Sequence, residues 1–307
     1  MVTSTSFQLP KDGTIYTRSI FRRCQDLIRH EIWSGIELNR LDTWIANFKT
    51  DEERYFSARV LDALIYRSDR QTIALMKQLF QRVIPDLARS RGLNSSLRVV
   101  YQSLQDHTVG PGVRVVPVIP PGESPTKSGT TIARMLRRNL RFHEAWFAYP
   151  HDVANLINQV DGIIFVDDFL GTGTQFLRDF LVPTGLASHL SSGRFVYTPL
   201  VGHVEGVNRL RTDCPDLHVD TVELLDDSHA LFHKESGGFP DDVNSTETAR
   251  DFYYALLKNR RIDINGPERR GFGHFELAYA FEHAVPDNSL PILWWPHSED
   301  WRPLFDR

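Results

Sequence analysis

Asp161-Gly-Ile-Ile-Phe-Val-Asp167-Asp168-Phe-Leu-Gly171-Thr172-Gly173-Thr174-Gln175, continuing as Phe-Leu-Arg-Asp-Phe-Leu-Val to residue 182, is the most informative run in the chain. Ile163 to Val166 is too short an apolar run for a helix and is rich in β-branched and aromatic types. It leads into two carboxylates and then a Gly/Thr loop, the pattern of a buried parallel strand that ends at a site. Phe176, Leu177, Phe180 and Leu181 recur at i, i+1, i+4 and i+5, which predicts a helix from near Thr174 with one apolar face. The unit reads as strand, acidic pair, glycine loop, helix.

A helix start behind such a loop presents unpaired N–H groups and the positive end of the helix dipole, so it attracts a phosphate. Gly171 and Gly173 let the backbone approach the anion, and the Thr172 and Thr174 hydroxyls add donors. Asp167 and Asp168 sit where open α/β sheets bind ligands, at the carboxyl end of the strand. Carboxylates accept hydrogen bonds from a sugar diol or hold Mg2+ through water. A ligand with a ribose at one end and a phosphate at the other fits both halves. The competing reading is a plain strand-to-helix turn whose acids cap the helix or face solvent. It is disfavoured because adjacent aspartates at the end of an apolar strand are costly to desolvate without a partner. A dinucleotide fingerprint is the weaker match, since Phe176 stands where its third glycine belongs.

This stretch resembles the phosphoribosyl-pyrophosphate motif of type I phosphoribosyltransferases: an apolar strand, two acids, two apolar residues and a small Gly/Thr loop. The resemblance implies that Asp167 and Asp168 contact the ribose hydroxyls. It gives Gly171, Thr172, Gly173, Thr174 and Gln175 the 5'-phosphate. That family usually has small hydroxyl-bearing residues where this chain carries Gly171 and Gln175.

Composition bounds the rest. The 307 residues suffice for one large domain or two smaller ones, and 41% hydrophobic with 24% charged residues is a globular composition. A net charge of -4 argues against nucleic-acid binding by charge alone. Cys24 and Cys214 lie far apart without metal-ligand spacing, so reduced thiols are expected. The first residues show no basic segment followed by an apolar core, and no apolar run approaches ~18 residues. The expectation is a cytoplasmic protein with no membrane span.

Along the chain, Tyr16 to Leu93 reads as helical. Thr50 with Glu53 predicts a capping box for a helix carrying Tyr55 through Leu64 and Ile65, and Ser68 with Gln71 repeats the signal for a helix reaching Ile84. These amphipathic helices pack as core or present a surface to a protein partner. Val113 to Val118 predicts a strand, followed by a proline- and glycine-rich loop ending in Lys127-Ser128-Gly129 and a helix carrying Ile132, Met135 and Leu136. Ser128 is its expected N-cap, and the loop is a second anion site. By order of elements it resembles the pyrophosphate loop of type I enzymes. Arg134, Arg137, Arg138 and Arg141 form a basic cluster nearby, read either as polyphosphate contacts or as a solvated face. A short strand is expected within His143–Tyr149 and a short helix over Val153–Val160. Strands are also expected at Gly193–Val201 and Leu217–Leu225, with a helix near Glu205–Thr212 between them. Asp226, Asp227 and His229 follow at a strand's end and read either as site residues or as a surface loop. Trp294, Trp295 and Trp301 in the tail either stack a base or lock the tail onto the core.

Strands alternating with helices over 113–225 predict an α/β fold, a doubly wound parallel sheet with right-handed crossovers, preceded by a helical region. The expected division is 1–95 for the helical region and 96–307 for the phosphoribosyltransferase-like domain. The Trp44–Phe48 segment, the Lys127 loop, the acidic core and the Pro286-Asp-Asn288 to Trp294 tail together resemble a divergent bacterial phosphoribosyltransferase-like family of anti-phage defence loci. That resemblance implies a defence effector binding phosphoribosyl pyrophosphate or a nucleotide and acting at ribose C1, with Mg2+ held by Asp167 and Asp168 through water. No segment ahead of the acidic pair reads as the mobile catalytic loop of that family. This leaves a second function open, a non-catalytic nucleotide sensor or complex subunit.

Overall fold

The computed structural model describes residues 7–106, 112–122, 128–239, 243–262 and 266–306. Internal contacts group the chain into Met1–Asp69 with Asp226–Arg307, and Arg70–Leu225.

The first unit begins with α1 (Gly13–Arg29), α2 (Leu38–Ile45) and α3 (Asp51–Ala63). Thr50 Oγ1 accepts the Glu53 N–H at 3.2 Å, and Glu53 Oε2 reaches back to the Lys49 N–H at 2.5 Å. The predicted reciprocal cap is thus present, with its second bond one residue earlier than the usual box. The helix stops at Ala63 and does not carry Leu64 and Ile65 as the periodicity predicts. Ile65–Arg67 instead forms β1, paired in parallel with Tyr279–Phe281. A partner that distant in sequence overrides the local helical period.

α4 (Asp69–Gln78), which belongs to the second unit from Arg70 on, passes through a π-helical turn at Leu79–Val83 into α5 (Ile84–Ser90), followed by a 3-10 turn and α6 (Val100–Ser103). Phe80 and Tyr101 both meet Phe142 edge to face, at 4.9 and 5.8 Å. These helices therefore pack inside the α/β unit, and the sequence boundary at 95/96 falls within it. The remaining elements are β2 (Val113–Pro117), α7 (Ser128–Asn139), α8 (Val153–Leu156), β3 (Gly162–Leu170), β4 (Phe195–His203), α9 (Val204–Asp213), β5 (His218–Val219) and β6 (Glu223–Leu225).

The sheet is parallel in the order β2-β3-β4-β5, with β6 pairing further along β4. The stretch read as one strand from Leu217 to Leu225 is thus two short strands on one edge. Between them the Thr221 hydroxyl donates to the Pro199 carbonyl at 3.0 Å. The segment within His143–Tyr149 is mainly a 3-10 turn, but Phe147 bridges Val115 in parallel and Ala148 N–H donates to Val115 O at 3.1 Å. The chain therefore steps outward from β2 to this bridge, then returns past β2 to β3. That reversal makes the α/β sheet doubly wound, and ligands bind at the carboxyl ends of strands beside such a switch point. Phe165 on β3 anchors the core, with Phe176, Phe180 and Phe195 at 5.4–5.8 Å.

The chain then completes the first unit with α10 (Thr246–Asn259) and β7 (Tyr279–Phe281). Asp226 and His229 make a capping box around a surface 3-10 turn. Trp301 is fully buried, and Trp44 Nε1 donates to Ile292 O at 2.8 Å. Asn47 exchanges hydrogen bonds with the Arg302 main chain at 2.8 and 3.1 Å. The tail is locked into its own unit, and buried Trp294 and Trp301 present no face for a base. Cys24 and Cys214 are free and buried. Burial pushes the Cys24 thiol up to about 12, so it stays protonated.

Candidate functional site

β3 does not end at the acidic pair. It continues to Leu170 because β4 runs alongside, pairing Asp167 with Pro199, Phe169 with Val201 and Leu170 with Gly202. Asp168 falls between these ladder positions. Its N–H donates to Asp167 Oδ1 at 3.0 Å, and the Phe169 N–H donates to Asp168 Oδ1 at 2.8 Å. Both carboxylates are drawn onto the main chain and buried, at 6% and 7% exposure.

Burial, and then the neighbouring Asp168 charge, raise the Asp167 carboxyl well above the usual carboxylate range. Tyr197 on β4 donates its hydroxyl to Asp167 Oδ2 at 3.4 Å. Burial and the two aspartates raise that hydroxyl well above the usual phenol range, so Tyr197 stays a neutral donor. Its ring stacks on Phe176 at 4.0 Å, which fixes the donor through the core behind the loop.

The glycine loop is closed on itself. Thr174 N–H donates to Thr172 Oγ1 at 3.3 Å, and the two threonine hydroxyls lie 3.0 Å apart. Gly173 has φ +76°, a conformation that only glycine adopts freely. The helix expected from Thr174 is a single π-helical stretch, Gln175–Leu181, burying Phe176, Phe180 and Leu181. Pro183, which cannot continue the ladder, follows it.

α9 braces the loop in two ways that the local motif does not announce. Gly206 sits so close that a Cβ there would lie 1.9 Å from Gly171 O. One helical turn on, Arg209 donates to Thr172 O at 3.2 Å and Thr174 Oγ1 at 2.8 Å. Arg209 places a cation beside the proposed phosphate cradle. The only sequence trace of this pair is a glycine and an arginine three apart on the helix after the next strand.

Of the second loop, Lys127 lies outside the described residues. Ser128 is the first helical residue of α7. Gly129 is held by packing: a Cβ there would meet Val118 O at 2.5 Å. In the basic cluster, Arg137 pairs with Glu144 at 2.6 Å.

Among the described residues no three His, Cys, Asp or Glu side chains form a metal-binding group. Asp167 and Asp168 are instead a two-carboxylate set. Such a set suits Mg2+, which usually takes one or two carboxylates and completes its shell with water and substrate phosphate. A cation there would also relieve the electrostatic cost of ionising two buried neighbouring acids. Among the described residues, no helix is long and apolar enough to cross a membrane.

No curated protein and no solved structure gives a match. A family model described as PRTase-CE matches residues 41–307, a span that contains the whole parallel sheet, the acidic pair and the glycine loop. The chain is therefore a phosphoribosyltransferase-like protein belonging to the PRTase-CE (conflict system) family.

Proposed function

We propose that this protein binds a phosphorylated ribose compound, phosphoribosyl pyrophosphate or a nucleotide, and acts at ribose C1 as an effector of anti-phage defence. The observation that carries this reading is the continuity of β3: a buried carboxylate pair runs directly into a glycine loop held by Arg209. Asp167 and Asp168 accept hydrogen bonds from the ribose hydroxyls. The loop from Gly171 to Gln175 takes the 5'-phosphate, with Arg209 supplying positive charge. Lys127, Ser128 and Gly129 are assigned the leaving pyrophosphate or a second phosphate.

At C1 the bond to the leaving group breaks with its electron pair going to that group. A nucleophile, a base nitrogen or water, then closes on the oxocarbenium-like centre and gives up its proton to solvent. The carboxylates stabilise the positive charge that develops on the ribose, and the rest of the catalysis is positioning. Mg2+ held through water at the pair would neutralise the pyrophosphate oxygens.

The test is Asp168→Asn, assayed with phosphoribosyl pyrophosphate, nucleotides and Mg2+ for binding and for released pyrophosphate or free base. Ligand binding or turnover should be lost while the melting temperature changes little. A variant with full function would remove the assignment.

A second reading is a non-catalytic sensor that docks a partner through α1–α3. It is favoured by the burial of both carboxylates against their own main chain. Saturable binding without turnover in the wild-type protein, with any partner present, would select it.

A further inference from the structure

A separate cavity of about 1000 Å³ lies within the α/β unit, and neither the acidic pair nor the glycine loop lines it. Its walls are largely apolar, including Pro117, Phe147, Pro150 and Pro183. Tyr149 and His151, also in the lining, stack on each other with ring centroids 5.4 Å apart and planes at 13°. Tyr149 is 67% exposed, an unusual position for a large ring without a partner surface.

The charged groups of the lining are few: Arg134, Arg137 and Glu144. Glu144 is already paired to Arg137 at 2.6 Å, and among the described residues Arg134 on α7 has no hydrogen bond or ion pair. The Thr130 hydroxyl, also in this wall, is buried and has no hydrogen-bond partner among the described residues. Pro117 pairs with Val166, immediately before Asp167, so the cavity adjoins the carboxyl end of the sheet at its switch point.

We infer that this cavity is a second ligand site, for a planar aromatic anion whose ring stacks on Tyr149 and whose acidic group meets Arg134. The volume matches sites that enclose a small organic ligand. Apolar walls and an exposed ring pair suit a flat heteroaromatic ring, and a free guanidinium recognises phosphate or carboxylate through two parallel hydrogen bonds. A neutral aromatic ligand would leave Arg134 unused, and a cationic one would be repelled by it.

The full chain is titrated calorimetrically with four probes. One is 2',3'-dideoxyadenosine 5'-monophosphate, which has ring and phosphate but lacks the diol that Asp167 and Asp168 would hold. The others are 2',3'-dideoxyadenosine, 1-naphthoate and inorganic phosphate. At least one aromatic anion should bind saturably, and the better of the two identifies phosphate or carboxylate as the acidic group. Arg134→Ala and Tyr149→Ala, both at exposed positions, should each weaken it about tenfold, a typical loss for one ion contact or one stacked ring.

Asp168→Asn should leave that affinity within about twofold, because it acts on a different site. Ribose 5-phosphate, run in parallel, reports the phosphoribosyl pocket, so failure of one site is separable from failure of the other. The inference is overturned if neither aromatic anion saturates, if the neutral nucleoside or phosphate alone binds as well, or if Arg134→Ala and Tyr149→Ala change nothing. Loss of binding on Asp168→Asn would likewise overturn it, by placing the nucleotide in the phosphoribosyl pocket.

Discussion

Replacing Gly206 by Ala tests whether α9 holds the glycine loop in its ligand-binding shape. The added Cβ would stand 1.9 Å from Gly171 O and 3.2 Å from Gly173 N, whereas ordinary contact begins near 3.4 Å. Helix and loop must therefore part by about 1.5 Å, and because the clashing atoms are both backbone, no rotamer change relieves it. Forcing two packed backbones apart costs about 3 kcal/mol. Alanine's better helix propensity returns about 1 kcal/mol. The net loss of about 2 kcal/mol lowers the melting temperature of a unit of this size by about 4–8 °C.

The ligand effect should be larger than the stability effect, since a shift of about 1 Å in a positioning element is worth about 100-fold. Scanning calorimetry of the apo protein and titration with ribose 5-phosphate measure the two. Asn208→Ala, on the exposed side of the same helix, is the control and should move the melting temperature by less than about 1 °C. If Gly206→Ala behaves like that control in both assays, the loop does not depend on α9 and the bracing argument is wrong.

Asp167 should set a pH dependence of stability. Its carboxyl is raised by burial and by Asp168, so ionisation is harder in the folded chain than in the unfolded one. Stability from this group is greatest below the ordinary carboxylate pKa near ~3.9 and falls as pH rises through the raised value. In EDTA, Asp167→Asn should flatten the decline in melting temperature as pH rises above about 4. Parallel curves for variant and wild type would contradict the assigned cause. In the other unit, Glu276 is almost fully buried and takes Arg250 at 2.8 Å and Arg270 at 2.5 Å. Glu276→Gln should destabilise by about 2 kcal/mol, below the ~3–5 kcal/mol of a fully buried pair because both guanidinium groups reach solvent. Urea titration reads this directly, and an unchanged midpoint would show that the cluster adds nothing to stability.

Residues 161–182 show how far local pattern carries. The apolar run, the acids and the Gly/Thr loop are legible because each rests on near neighbours: alternation, turn chemistry and side-chain type. β2, β4 and α9 were legible for the same reason, and so was the cap that starts α3. The end of that helix was not. Leu64 and Ile65 fit a helical face, and only pairing with Tyr279–Phe281 makes Ile65–Arg67 a strand. Likewise β3 runs past Asp168 because β4 is there to pair with it, which no reading of β3 alone supplies.

The sequence by itself therefore determined the chemistry of the motif and the order of strand and helix, since these depend on residues within a few positions of one another. The tertiary structure decided which distant groups serve the motif: Tyr197 on Asp167, Arg209 and Gly206 against the loop, and the tail with the first helices instead of with the sheet. Those assignments follow from non-local packing, in which one buried position is satisfied by whichever segment the fold brings to it.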